Sequence, residues 1–331
     1  YNEAPIVLIV TNSPDIATNP EVIVTYQQSI NGSLPGADPD KTIITITNAT
    51  PSVLSSNLPF LTLTNSFDDQ REEKNTVLAD IDVGQYSSWL STNSVVTTMA
   101  AAGTPLTILY VADQRNYTSS QFPAVRLTDA AQLPSNGGLG FSVATPDPLY
   151  VQDDYNIQIN NDSSHQSKGT SDTTYTVPSA LMSDALTVLS DNWSDSHSTR
   201  YYDNYNADDT TINAAILTGN MPTTDSTYYG FSGGVQNLVR MLEDWSDRHN
   251  TLTINTSIIN LFQSEIATNQ FRDPGNFGLR NDPYYDPPTR NWNFDLNFLD
   301  PNKQPPGVPA AVMPIRFNWA VPPPGVTNYN P

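Results

Sequence analysis

The chain has 331 residues, with 34 acidic against 14 basic side chains and a formal charge of −20. That charge repels phosphate backbones and anionic lipid headgroups, and no cluster of basic residues offsets it locally, so nucleic acid and anionic membrane surfaces are excluded as general partners. The absence of cysteine removes disulfide frameworks, thiolate zinc sites, iron–sulfur clusters and cysteine nucleophiles.

Charged residues make up only 15% of the chain, against a usual figure of about 25%. Ser, Thr, Asn and Asp together supply about 38%, and Asp outnumbers Glu by 28 to 6. Short polar side chains bond their own backbone and favour turns, while Thr, Val, Ile and Tyr favour strands. The composition therefore points to an all-β, turn-rich protein of the kind found among secreted bacterial surface proteins. No stretch approaches the roughly 18 apolar residues of a membrane span, and the start lacks a basic segment followed by an apolar core. The chain as given is expected to be soluble, with any signal or anchor removed or lying outside it.

Along residues 1–140, short β-branched runs predict strands at Ile6–Val10, Val22–Tyr26, Thr42–Thr47, Leu61–Thr64 and Leu106–Val111. Turn clusters such as Asn12-Ser13-Pro14 and Asn57-Leu58-Pro59 separate them. Acids concentrated near the start of Asp69–Asp80 suggest a helix there. From about Phe141, apolar runs recur at Pro148–Val151, Tyr155–Ile159, Ala185–Leu189, Ile212–Leu217, Leu252–Asn255 and Ile258–Phe262. Their spacing of a few tens of residues suits the rungs of a β-solenoid. Val235, Leu238, Val239, Leu242 and Trp245 fall near helical spacing and predict a helix over Gly234–Arg248. Trp292 and Phe294 alternate with Asn291, Asn293 and Asp295, as in an edge strand with one apolar face. Residues 301–331 are proline-rich and read as an extended arm.

No nucleophile elbow, zinc-protease helix, phosphate loop or dinucleotide fingerprint is present. Gly137-Gly138-Leu139-Gly140 and Gly230–Gly234 lack the strand–loop–helix spacing that phosphate cradling needs and read as turns. His165, His197 and His249 are far apart in polar stretches and read as solvated surface residues. Clustered aspartates, above all Asp153, Asp154, Asp208 and Asp209, are candidates for a structural calcium ion, which takes six to eight oxygen ligands. Solvated turns are the plainer reading of the same residues. Glycosylation sequons stand at Asn31, Asn48, Asn116, Asn161, Asn192 and Asn255, several of them expected by chance in so polar a chain. The aromatic groups, Tyr201-Tyr202, Tyr228-Tyr229, Tyr284-Tyr285, Trp292, Phe294, Phe298 and Trp319, divide among core cover, subunit contact and a carbohydrate platform.

One ordered set of segments is more specific than its parts. Ala144–Val151 (ATPDPLYV), Asp154-Tyr155-Asn156, Ala180–Trp193 (ALMSDALTVLSDNW), Thr211–Gly219 (TINAAILTG), Ser232–Trp245 (SGGVQNLVRMLEDW), Leu252–Phe262 (LTINTSIINLF) and Arg290–Pro306 (RNWNFDLNFLDPNKQPP) follow one another. Over about residues 140–310 this order resembles a large family of bacterial secreted proteins, frequent in verrucomicrobial-type genomes and found beside type IV pilus assembly proteins of the PilX kind. The resemblance implies an envelope or extracellular, pilus-associated structural role and carries over no catalytic residue. The pilin-like N-terminal apolar helix is absent from this chain.

The resulting expectation is an all-β protein in three parts: a β-rich region at 1–140, a right-handed parallel β-helix at 141–300 with the 234–248 helix as its cap, and the arm at 301–331. Paired β-sandwich domains are the alternative. The expected role is that of a non-enzymatic extracellular or cell-surface protein, the subunit of a filament, pilus-associated structure or sheath. Its partners would be other copies of itself, pilus or envelope proteins, or glycans. No cofactor is expected beyond structural calcium. Ile6, Val7, Leu8 and Ile9 in a terminal strand, and Trp319 in the arm, are the expected assembly contacts, since an end strand can complement a neighbouring sheet. On this reading, removing residues 1–10 or 301–331 leaves the monomer folded. The alternatives are a carbohydrate-binding or carbohydrate-cleaving β-helix protein and a calcium-dependent adhesin.

Overall fold

The structure, a computed structural model, describes residues 3–13, 19–28, 41–159, 162, 164–199, 206–223, 234, 238–269, 271 and 284–308. The elements in chain order are β1 (Ile6–Asn12), β2 (Pro20–Gln27), β3 (Lys41–Ile46), α1 (Pro51–Asn57), β4 (Leu61–Thr62), β5 (Ser66–Asp69) and β6 (Lys74–Asp82). Two helices follow, α2 (Val83–Thr92) and α3 (Ser94–Ala101). Then come β7 (Ile108–Asp113), β8 (Gln121–Thr128), β9 (Ser142–Ala144), β10 (Leu149–Gln152), β11 (Ala180–Ser183) and β12 (Leu186–Leu189). The remaining strands are β13 (Thr210–Asn213), β14 (Ala215–Asn220), β15 (Val239–Arg240), β16 (Thr251–Thr256), β17 (Ile258–Gln263) and β18 (Thr289–Phe294).

The protein is strand-rich, and most of its ladders are parallel. One sheet runs β17-β14-β11-β9-β7-β1-β2-β3, and a second runs β15-β12-β10-β8-β6-β4 with β5 also on β6. A third holds β13-β16-β18. Among the described strands the antiparallel pairs are β1–β2, β2–β3, β4–β6 and β5–β6. From β6 to β12 the chain alternates between the second and first sheets, and beyond β12 it also passes through the third; each return places a strand beside its predecessor in the same sheet: β6, β8, β10, β12, β15 in the second, β7, β9, β11, β14, β17 in the first and β13, β16, β18 in the third. Both ladders run through residue 140 without a break, since β7 pairs with β9 and β8 with β10.

Continuous burial explains the continuous apolar runs. Every residue of β12 is buried, as are Leu149, Tyr150 and Val151 of β10, because both strands lie inside a sheet with parallel neighbours on each side. One core cluster extends from Ile6 in β1 to Tyr285. On the outer face of the first sheet a smaller cluster joins Ala180, Ala215 and Leu217, with Phe298 and Val308 packed against it.

Three helices were not anticipated, and each has a local cause. Pro51 sits in the first turn of α1, where its missing N–H is no loss. Asp82 caps α2 by accepting from the Gln85 amide, and Asn93 caps α3 by accepting from the Val95 and Val96 amides. Tyr86, Trp89, Val96 and Met99 bury one face of the pair, and Phe60 meets the rings of Tyr86 and Trp89 with centroids 5.0 Å away in each case.

Two expected helices are strands and turns instead. Over Asp69–Asp80 the Asp69 carboxylate accepts from the amides of Arg71 (2.8 Å) and Glu72 (2.9 Å), Glu73 takes a positive φ of 55°, and the chain reverses into the β5–β6 hairpin. Residues 235–237 of the expected 234–248 helix lie outside the described residues, but 238–248 form β15 and turns. Arg240, Glu243 and Asp244 are as buried as Val239 and Leu242, so the stretch 239–245 has no polar face to give to water. The 155–159 run contributes only isolated bridges at Tyr155 and Gln158. By contrast, β18 lies at an open edge of the third sheet, as its alternation suggested.

The terminal strand expected to serve in assembly is paired within the chain. Ile6, Val7, Leu8 and Ile9 lie in β1, which has β2 on one edge and β7 on the other, so both edges are already complemented from within the chain. Trp319 lies outside the described residues. Leu8 is fully buried between Val24 and Val111. Leu8→Ala is therefore expected to destabilise the fold by about 3 kcal/mol in urea unfolding; a dispensable assembly arm would give no measurable change.

Candidate functional site

The polar residues that do most in this structure lie where the chain turns from one sheet to another. The first set is asparagine. Asn156 adopts φ 59°, a left-handed geometry that Asn tolerates well, and its Nδ2 donates to the carbonyls of Val177 and Asn213, both at 2.8 Å. Its Oδ1 accepts from the Val177 amide. Asn213 Nδ2 in turn donates to Asn156 O and Ser167 O. Asn255 Nδ2 donates to Asn213 Oδ1 at 2.7 Å and to Thr170 O at 2.8 Å. The β13–β16–β18 register puts Asn213 beside Asn255 and Asn255 beside Asn293, so like residues stack on one corner.

The second set is aspartate. Asp113 ends β7, Asp184 follows β11, and Asp147 lies between them in the stack. Asp147 Oδ2 accepts from the Asp113 amide at 2.7 Å, and the Asp184 amide donates to Asp147 O. Asp184 uses both carboxylate oxygens to accept from the amides of Glu265, Ile266 and Ala267. Arg115 pairs with Asp113 at 2.6 Å and reaches on to Leu63 O and Leu78 O. Burial pushes the Asp147 carboxyl up to about 7, and the charges of Asp113 and Asp184 push the same way.

A third cluster ties the β5–β6 hairpin to the far ladder. Glu72 accepts from Arg240 Nη1 at 2.7 Å and from the Asn269 amide at 2.9 Å, and Arg240 Nη2 donates to Ala267 O. Tyr150 donates its hydroxyl proton to Asp69, whose carboxyl burial raises above the usual range. The guanidinium of Arg71 lies 5.8 Å from the ring centres of both Phe271 and Tyr284. Elsewhere, Arg126 bridges Asp80 and Asp195. Glu243 accepts from the amide and hydroxyl of Ser190 and is pushed by burial to about 7.

The four calcium candidates are not gathered into one site. Asp154 accepts from the Thr211 amide at 2.8 Å and pairs with Lys168, while Asp153 sits half-buried beside it with its pKa raised by burial, against the lowering effect of a hydrogen bond from the Asp154 backbone. Asp209 is exposed and accepts from the Thr251 amide, and Asp208 is half-buried. Among the described residues no group of three or more His, Asp or Glu side chains is arranged to hold a metal ion. His165 is exposed and pairs with Asp162 at 2.8 Å.

Of the sequons, Asn255 is fully buried inside the asparagine stack, so its amide is closed to modification. Asn48 is half-buried and accepts from Asn19. Asn116 and Asn192 are exposed, and Asn31 and Asn161 lie outside the described residues. Tyr284 and Tyr285 are core residues, and Trp292 is half-buried, whereas Phe294 is 50% exposed. The asparagine stack escaped sequence reasoning although its signal is present: Thr-Ile-Asn occurs at 211–213 and again at 253–255.

Comparison with protein-family models, with curated proteins and with solved structures returns no match.

Raised carboxyl pKa values set the direction of one pH effect. Asp147 titrates at about 7 in the fold against a reference of 3.8, so the native state holds a proton that the unfolded chain releases in between. The stability tied to that proton is full below about pH 4 and is lost as pH rises through about 7. Asp147→Asn keeps an acceptor for the Asp113 amide and removes this dependence. Its stability relative to the native protein is expected to be higher at pH 8 than at pH 4 in paired urea titrations.

Proposed function

We propose that the protein is a non-catalytic structural component of the bacterial cell surface or of an extracellular filament, built around a right-handed parallel β-helix. The coil in this reading starts at β6 and takes in every later strand, so it is longer than the 141–300 stretch read from the sequence. Alternation of the chain between two parallel ladders supports it, and so does the stack of Asn156, Asn213 and Asn255 at one corner. The antiparallel strands β2 and β3 extend one end.

The observation that carries the functional reading is where the buried polar groups are directed. Asp147 and Asp184 accept from backbone amides of other turns of the coil, Glu243 accepts from Ser190, and Glu72 pairs with Arg240 and accepts from the Asn269 amide. These carboxylates hold chain to chain, which is the use expected of a protein whose task is to keep its shape. Arg115, on the rim of the cleft between Pro20, Leu54 and Leu63, is likewise bound to Asp113 and two carbonyls. The resemblance to envelope proteins found beside pilus assembly components points to the same location.

The test is incubation of the purified protein with a panel of bacterial and plant polysaccharides under a reducing-end assay, together with antibody labelling of intact cells. Surface labelling with no release of reducing ends is the expected result. Measurable release would make the protein a glycan-cleaving enzyme and end the structural reading.

A further inference from the structure

The eight-stranded sheet has two open edges among the described strands, β3 at one and β17 at the other. Both carry exposed apolar side chains: Ile43 and Ile44 on β3, Ile259 and Phe262 on β17. Natural sheets commonly protect such edges with charge, proline or a covering segment, because unpaired N–H and C=O groups recruit further strands. Neither strand contains proline or an acidic residue, in a chain with 34 acids, and the one charge on either is Lys41 at the first position of β3. The net charge of −20 opposes self-association over the surface as a whole, so the acid-free edges are where two copies meet with least repulsion.

Strand direction makes the two edges compatible. β17, β14, β11, β9, β7 and β1 are mutually parallel. β2 is antiparallel to β1 and β3 is antiparallel to β2, which returns β3 to the direction of β17. Simple translation of one copy along the sheet therefore lays β3 beside β17 as one more parallel pair, of the kind the sheet already contains. Both strands are six residues long.

The faces agree as well. Val24 opposite Ile44 and Val22 opposite Ile46 belong to the main core, so Ile44 and Ile46 share the inner face and Ile43 takes the outer one. On β17, Ile258 lies opposite the core residue Ile216 and packs against the core, whereas Ile259 lies opposite Leu217 of the outer cluster. Over Ile258–Asn260, ahead of the register shift later in β17, a register that pairs even-numbered with even-numbered residues keeps inner with inner and outer with outer, and a one-residue slip breaks both.

We infer that the partner of these edges is a second copy of this chain, joined head to tail so that β17 of one copy pairs in parallel with β3 of the next. Such a contact is heterologous: an assembly of any length keeps one unused edge of each kind at its ends, so it grows as an open filament along the sheet. This rests on the structural reading above and names one contact by which such a component would assemble.

The test uses Ile43→Glu and Ile259→Glu in the full chain, with far-ultraviolet circular dichroism and melting temperature confirming that each variant folds. Light scattering on a sizing column should show native protein growing with concentration into linear oligomers, each variant alone as a monomer, and an equal mixture of the two stopping at a dimer. The mixed dimer arises because each variant supplies the edge the other lacks. Dimers of either variant alone would mean like edges pair, which overturns the head-to-tail contact. Native protein that remains monomeric at the highest concentration that stays in solution would overturn it too. The polysaccharide and labelling results stand apart from this one, so an isolated failure here leaves the structural reading in place.

Discussion

Backbone groups at the corners of a stacked chain have nowhere to go but inward. Within a strand each N–H and C=O meets the ladder, but where the chain leaves one sheet for the next it enters the interior with donors and acceptors unpaired, and each one left so costs about 1–3 kcal/mol. This protein meets the need with short polar side chains. Asn156, Asn213 and Asn255 serve one corner and Asp147 and Asp184 another, each reaching a part of the chain distant in sequence. The composition follows from this constraint as much as from the surface: some of the many Asn and Asp residues are interior fittings.

Carboxylates at such corners are less comfortable than amides. Asp147 and Glu243 are driven towards the neutral form by burial, and Asp69 moves in the same direction despite the Tyr150 hydroxyl bonded to it. Asp113, Asp80 and Glu72 are paired with Arg115, Arg126 and Arg240. Three of the 14 basic residues are thus committed to internal ion pairs. That leaves the outer surface acidic, with the ends of one sheet as places where apolar strand edges reach solvent.

The sequence made the strands legible wherever β-branched residues ran together, as in β1, β2, β12 and β16, because burial within a sheet demands that run. It did not disclose which strands pair: the Leu186–Leu189 run reads the same in a sandwich as beside Leu149–Gln152 in a parallel ladder. The acids of 69–73 looked like a helix start because their spacing is silent on which amides Asp69 captures. The apolar spacing of 235–245 looked amphipathic because Arg240 and Glu243 read as a solvent face, when their partners Glu72 and Ser190 lie 168 and 53 residues away. The recurring Thr-Ile-Asn was the readable trace of the asparagine stack, and its two copies are separated by the 42 residues that bring Asn213 under Asn255. Two of the calcium candidates, Asp154 and Asp209, are instead taken up by the backbone amides of Thr211 and Thr251, 57 and 42 residues away.

A stack held at its corners should open as one body, and residue-resolved hydrogen exchange under native conditions reads this directly. The amides of Asp113, Val177, Thr211 and Ala267 lie in or beside turns, yet they donate to Asp147, Asn156, Asp154 and Asp184. They are expected to exchange as slowly as the amides of β8 and β10 in the middle of the second sheet. Exchange of these four at the rate of exposed turns, with β8 and β10 still protected, would show that the ladders stand without their corners and would contradict the account.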